Sequence, residues 1–224
     1  MPYKTSLFAA IAASLCLMLP AADAAAQEIR GKKAGDFNVR LRGIGVLPDN
    51  AGRTVFTAGG AATANTLDRA KNAYTAEIDF SYFVTPNIAF ELIAATTRHD
   101  LTLNGGTTKL GSTGVLTPTL TAQYHPLPNS MFSPYVGAGV NYTVFYSEKN
   151  AAGFNGLRLK DAWGFALQGG VDVLTSGPFS FNVDVKKIFL KTEATVNQNP
   201  NTALRVNDIK LNPWVVGVGV GYRF

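Results

Sequence analysis

The segment Trp214-Val-Val-Gly-Val-Gly-Val-Gly-Tyr-Arg-Phe224 decides the reading of this chain. Trp214, Val216, Val218, Val220, Tyr222 and Phe224 fall on one side of an extended strand, and Val215, Gly217, Gly219, Gly221 and Arg223 on the other. One face is large and apolar; the other is small or charged. The glycines have period two and no helix follows them, so they are not a phosphate-binding loop. A narrow wall that leaves little room beside the strand accounts for them.

Working backwards from this strand, seven more segments alternate in the same way. Phe181, Val183 and Val185 oppose Asn182, Asp184 and Lys186, and Trp163, Phe165 and Leu167 oppose Gly164, Ala166 and Gln168. The same contrast runs through 135–144, 116–124, 88–95, 74–82 and 37–42, which makes eight strands. The links between them alternate in length. Pro48 to Asn72, Asp100 to Gly114, Ser147 to Asp161 and Thr192 to Asp208 are long, whereas Val84 to Asn87, Pro126 to Ser133 and Leu174 to Pro178 are short. The expected fold is therefore all-β, an eight-stranded antiparallel transmembrane β-barrel with long extracellular loops and short periplasmic turns. A soluble barrel would put its apolar face inward and coat its exterior with polar residues. Here the apolar face carries the aromatic residues, with Tyr82, Tyr124, Tyr142, Trp163, Trp214 and Tyr222 near strand ends, where a membrane girdle belongs.

Residues 1–26 read as a signal peptide: Lys4 begins it, Leu7 to Leu19 is apolar, and Ala24-Ala25-Ala26 is a cleavage site. The barrel is expected over 27–224, and the protein in the outer membrane of a Gram-negative bacterium. The apolar run is shorter than the roughly 20 residues of a spanning helix. Cys16 is the single cysteine and lies in the leader, so the remainder has no thiol nucleophile, disulfide or cysteine metal ligand. Leu15 occupies the place where a lipoprotein signal needs a small residue. The net charge of +5 is scattered singly, without a basic run, and no nucleic-acid partner is expected.

The segments Pro118 to His125, Pro134 to Thr143, Gln168 to Asp172, and Leu211 to Trp214 with Gly221 to Phe224 resemble the OmpW family of outer-membrane proteins. That resemblance extends back to Asp36-Phe-Asn-Val-Arg40. It implies an eight-stranded barrel with a narrow, largely apolar channel and a role in uptake of small hydrophobic molecules. One position departs from the family, which has a Trp in an apolar constriction on the seventh strand. The matching residue here is Lys186, which puts an apolar gate at that height in doubt.

Strand direction places Arg40, Arg42, Asp79, Glu91, Asp172, Asp184, Lys186 and Arg223 in the periplasmic half of the lumen. They are expected to form an ion-paired plug, because eight strands leave barely enough interior for side chains. Asp79 and Glu91 should repel unless a cation lies between them. Toward the loops the inward residues are Ile44, Ile93, Thr97, Thr117, Asn141 and Phe145, mostly uncharged, which permits a small pocket. Pro118 cannot donate a ladder hydrogen bond, so strand pairing is expected to be weak there, and a solute could leave sideways. The ending Val220, Tyr222, Phe224 has the form of an assembly signal. Outer-membrane lipid, the barrel-assembly machinery and small hydrophobic ligands are accordingly the expected partners. His99 and His125, the only histidines, sit at strand ends without converging ligands, so no cofactor, metal or enzymatic activity is expected. Two functions fit: a conduit or pocket for small hydrophobic molecules, and a structural or adhesive barrel with a plugged lumen whose loops contact partners.

Overall fold

A computed structural model describes residues 29–48, 53–57, 61–68, 71–199 and 202–224. The expected signal peptide and its cleavage site lie outside the described residues. The strands in chain order are β1 Phe37–Leu47, β2 Arg53–Thr57, β3 Ala62–Leu67, β4 Ala73–Phe83, β5 Ile88–Leu103, β6 Thr108–Leu116, β7 Thr119–Tyr124, β8 Phe132–Asn150, β9 Asn155–Leu159, β10 Ala162–Leu174, β11 Phe179–Asn199, β12 Thr202–Lys210 and β13 Trp214–Arg223. Eight of them, β1, β4, β5, β7, β8, β10, β11 and β13, pair antiparallel in sequence around a ring. The ring closes where β13 meets β1, from Asn38↔Arg223 to Leu47↔Trp214. Closure satisfies every edge, the condition for crossing a bilayer with strands.

The alternation read from the sequence is the alternation of the wall. In β4 Glu77, Asp79 and Ser81 are buried while Ile78, Phe80 and Tyr82 are exposed, and β7 buries Thr119, Thr121 and Gln123 while Leu120, Ala122 and Tyr124 face out. The β13 glycines have a specific use. A Cβ on Gly219 would meet the Leu41 carbonyl at 2.1 Å and the Arg42 Cγ at 2.7 Å, and one on Gly221 would lie 3.2 Å from the Arg40 Cγ. Glycine on β13 thus makes room for the two arginine stems of β1.

The expected long loops are a correction. β5 continues to Leu103 and returns in β6 through the four-residue turn 104–107. Asp68 clamps this turn by accepting from the Gly105 and Gly106 amides, which hold its carboxyl below the usual range even though burial would raise it. β8 and β11 likewise run far beyond the ring, β12 pairs with β11, β2 with β12 and β3, and β9 with β11. These extensions enclose a second core of Val55, Leu67, Leu103, Leu110, Phe154 and Leu157 with further buried apolar residues. Their polarity is reversed, apolar inward and polar outward, so they do not match the pattern of the membrane wall.

Candidate functional site

Arg40 and Arg42 leave β1 for the lumen and are fully buried there. Arg42 Nε lies 2.6 Å from Asp79 Oδ2 and 3.1 Å from Glu77 Oε1. Its two terminal nitrogens reach Glu91 Oε1 and Asp184 Oδ2, each at 3.1 Å. The cation between Asp79 and Glu91 is therefore the Arg42 guanidinium. Arg40 donates to Glu91 Oε1 at 2.8 Å, Asp172 Oδ2 at 2.9 Å and Ser81 Oγ at 2.8 Å. Lys186 donates to Glu77 Oε1 at 2.5 Å and stands 3.1 Å from Asp184 Oδ1. Arg223 is placed differently from the other seven charges of the expected plug. It sits at the strand end, 3.3 Å from Asp36 Oδ2, and donates to the Arg30 carbonyl, sealing the rim.

Neutral groups satisfy most of the remaining acceptors, and Asp79 Oδ1 and Asp184 Oδ1 are left without a hydrogen bond. The Tyr135 hydroxyl donates to Asp184 Oδ2 at 2.6 Å, and Gln168 Nε2 donates to Glu91 and Asp184, both at 2.8 Å. Gln123 donates to Glu91 at 2.7 Å and Asn182 to Asp172 at 2.8 Å. These residues alternate inward in the sequence, but only charge singles out a plug there, so the neutral members escape notice; Glu77, charged and inward like Asp79, belongs to the plug although the expected set stopped one inward position short of it.

Lys32 has no sequence signal at all, because it precedes the first strand. The segment carrying it folds under the barrel, and Lys32 Nζ donates to His125 Nδ1 at 2.7 Å, Ser133 Oγ at 2.8 Å and Asp172 Oδ2 at 2.8 Å. All three ammonium protons are used. Burial lowers the Lys32 pKa to about 8 against the pull of Asp172. His125 accepts at Nδ1, so its proton is assigned to Nε2, which donates to Gln123 Oε1 at 3.2 Å. Burial, then the Lys32 charge, push His125 down to about 3. The ring packs between Phe83 and Tyr135, with centroids at 5.1 and 5.2 Å, so His125 belongs to the buried foot of the plug.

Above the plug lies a cavity of about 90 Å³. Ile44, Ile93, Val115, Phe145, Ile188 and Val215 are among its walls, and Glu77 and Lys186 are its charged residues. Leu101, Leu159 and Leu211 also line it and pack against the second core, so that core lies next to the cavity on the side away from the plug. Of the residues expected around a pocket, Ile44, Ile93, Thr97, Thr117 and Phe145 line the cavity. Asn141 does not. Its amide donates to Thr119 Oγ1 at 2.8 Å and to the Pro118 carbonyl at 3.3 Å.

Pro118 falls between β6 and β7, but pairing around it is not lost. Thr96↔Leu116 and Ile93↔Thr119 keep one register on β5, and Leu116↔Val144 and Thr119↔Asn141 keep one on β8. The Thr117 amide donates to Ala95 and the Tyr142 amide to the Pro118 carbonyl. The wall is closed here, and what Pro118 removes is the return bond from its own nitrogen toward Tyr142. At the C-terminus Phe224 is exposed, its ring 4.8 Å from Tyr222 and 6.2 Å from Phe37.

The profile of the OmpW family matches residues 33–224. An uncharacterized outer-membrane protein of Sinorhizobium fredii, y4mB, is 38% identical over 84% of this chain and 80% of its own length. Outer membrane protein W of Escherichia coli is 36% identical over 86% and 90%. The crystal structure of the outer membrane protein OprG from Pseudomonas aeruginosa superimposes with a TM-score of 0.80 at 32% identity, covering 88% of this chain and 99% of that one. Closed ring, lipid-type exterior and these likenesses agree: the chain is a β-barrel of the bacterial outer membrane and belongs to the OmpW family.

Proposed function

We propose that the barrel is a passive conduit or binding pocket for small hydrophobic molecules, which leave it sideways into the membrane. The observation that carries this reading is the stacking of an apolar cavity directly on a plug of paired charges. An apolar solute gains nothing from separating buried ion pairs, and breaking one in a poorly solvated lumen costs several kcal/mol. Descent to the periplasm is therefore the harder route. The wall near Pro118, one ladder bond short and adjoining the cavity through Thr117 and Thr119, is the easier one. This reading involves no catalysis.

The test replaces plug charges in pairs, Arg42→Ala with Asp79→Ala, in cells and in planar bilayers. Uptake of a hydrophobic solute should be unchanged while ion conductance rises. If opening the plug instead increases hydrophobic transport, and a cross-link closing the wall at Pro118 has no effect, the straight-through channel is correct. The adhesive alternative predicts no saturable binding of hydrophobic fluorophores by the purified protein, whereas the cavity predicts it.

A further inference from the structure

The floor of the cavity is not apolar, and its chemistry narrows the ligand. Lys186 is 2% exposed and lines an otherwise largely apolar space together with Glu77. An ammonium has three donors. One goes to Glu77 Oε1 at 2.5 Å, and Asp184 Oδ1 at 3.1 Å is an ion-pair neighbour that receives no hydrogen bond. Lys186 therefore has donor capacity left at the bottom of the cavity. An unused donor buried beside hydrocarbon is unfavourable, and a ligand acceptor placed there would relieve it.

The sign of the ligand's polar end follows from the rest of the plug. Lys186 already lies between two carboxylates, Glu77 Oε1 at 2.5 Å and Asp184 Oδ1 at 3.1 Å, so carboxylates outnumber the ammonium at the cavity floor. A carboxylate ligand would meet this excess, whereas a neutral oxygen would not. We infer that the cavity is built for a hydrocarbon bearing one neutral oxygen at its end, an aliphatic alcohol or ketone, seated with that oxygen on Lys186 and its chain among Ile44, Ile93, Phe145 and Ile188. The inference rests on the proposed pocket and specifies its ligand class.

The test uses full-length protein refolded into lipid nanodiscs, with N-phenyl-1-naphthylamine as the fluorescent probe. Octane, 1-octanol, 2-octanone and octanoate compete for it at matched free concentrations. The alcohol and the ketone should displace the probe about tenfold more effectively than octane, as expected for one hydrogen bond to a charged donor, and octanoate should be the weaker oxygen-bearing competitor. Replacing the pair together, Lys186→Met with Glu77→Leu, should make octane and octanol equivalent, with heat-modifiable gel migration checking that the barrel is folded. Equal competition by octane and octanol in the unmodified protein overturns the inference while the hydrophobic pocket stands. Saturable probe binding that no competitor displaces, or no probe binding at all, overturns the pocket and the inference with it.

Discussion

Strand β11 passes through both halves of the molecule, and its two halves obey opposite rules. In its lower part Phe181 and Val185 face outward while Asn182, Asp184 and Lys186 are buried. In its upper part Lys191, Glu193 and Asn197 face outward while Leu190, Ala194 and Val196 are buried. The backbone pairing is continuous and the pleat is the same; only the surroundings differ. Lipid takes apolar side chains from the lower half and leaves the lumen to charges, whereas water takes polar side chains from the upper half and drives apolar ones together. The lower half is thus held by a polar network inside an apolar coat, and the upper half by a hydrophobic core inside a polar coat.

The sharpest way to break this contrast is to remove one charge from each half. Arg42→Met strands four carboxylates that now touch one guanidinium, and removing one partner of a buried ion pair costs about 3–5 kcal/mol. The urea midpoint of the barrel in lipid should fall sharply. Arg158→Met, on the exposed face of β9, should change it by no more than about 0.5 kcal/mol. Similar losses from the two would show that the lumen network contributes no more than a surface charge.

A methylene truncation should invert the ranking. Leu157→Ala empties part of the upper core, at about 2–5 kcal/mol for a buried leucine. Amide exchange should accelerate in β9 and the adjoining end of β11, while the β1–β13 closure stays protected. If the membrane half opens with it, the two halves are one cooperative unit rather than two.

Acid should act on the foot of the plug. His125 faces Lys32 and Gln123 directly, with Arg40, Asp172 and Tyr135 around them. Unfolded, it takes a proton near its ordinary 6.5; folded, it resists until about 3. The unfolded state therefore binds the extra proton within that window, and the His125 contribution, complete above pH 6.5, is lost as pH falls toward 3. Unfolding in lipid between pH 7 and 4 should show a shallower acid slope in His125→Gln, by up to about 1.4 kcal/mol per pH unit. Identical slopes would mean that His125 is not held neutral. The smallest effect belongs to Asp100 and Lys109, an ion pair at 3.0 Å with both side chains largely in water. Asp100→Asn should shift the midpoint by less than about 1 kcal/mol, and less still in high salt.

The membrane half was legible because its rule is one-dimensional. A period of two with aromatic residues on a single face requires no knowledge of what lies across the barrel, so the chain alone determined the ring, the inward set from Arg40 to Arg223 and the short turns. The upper strands were not legible by the same rule, because above the bilayer the apolar residues turn inward and the outward positions become Lys, Glu, Thr and Asn. Extended hairpins there look like loops. The chain also determined which charges face the lumen. Only the tertiary structure decided how they pair, since Arg42 meets Glu77, Asp79, Glu91 and Asp184 from three strands at a point set by ring closure and register. Lys32 was decided wholly by that closure: nothing local marks it, and it is buried because the chain before β1 folds beneath the lumen, where Asp172 and His125 await a donor.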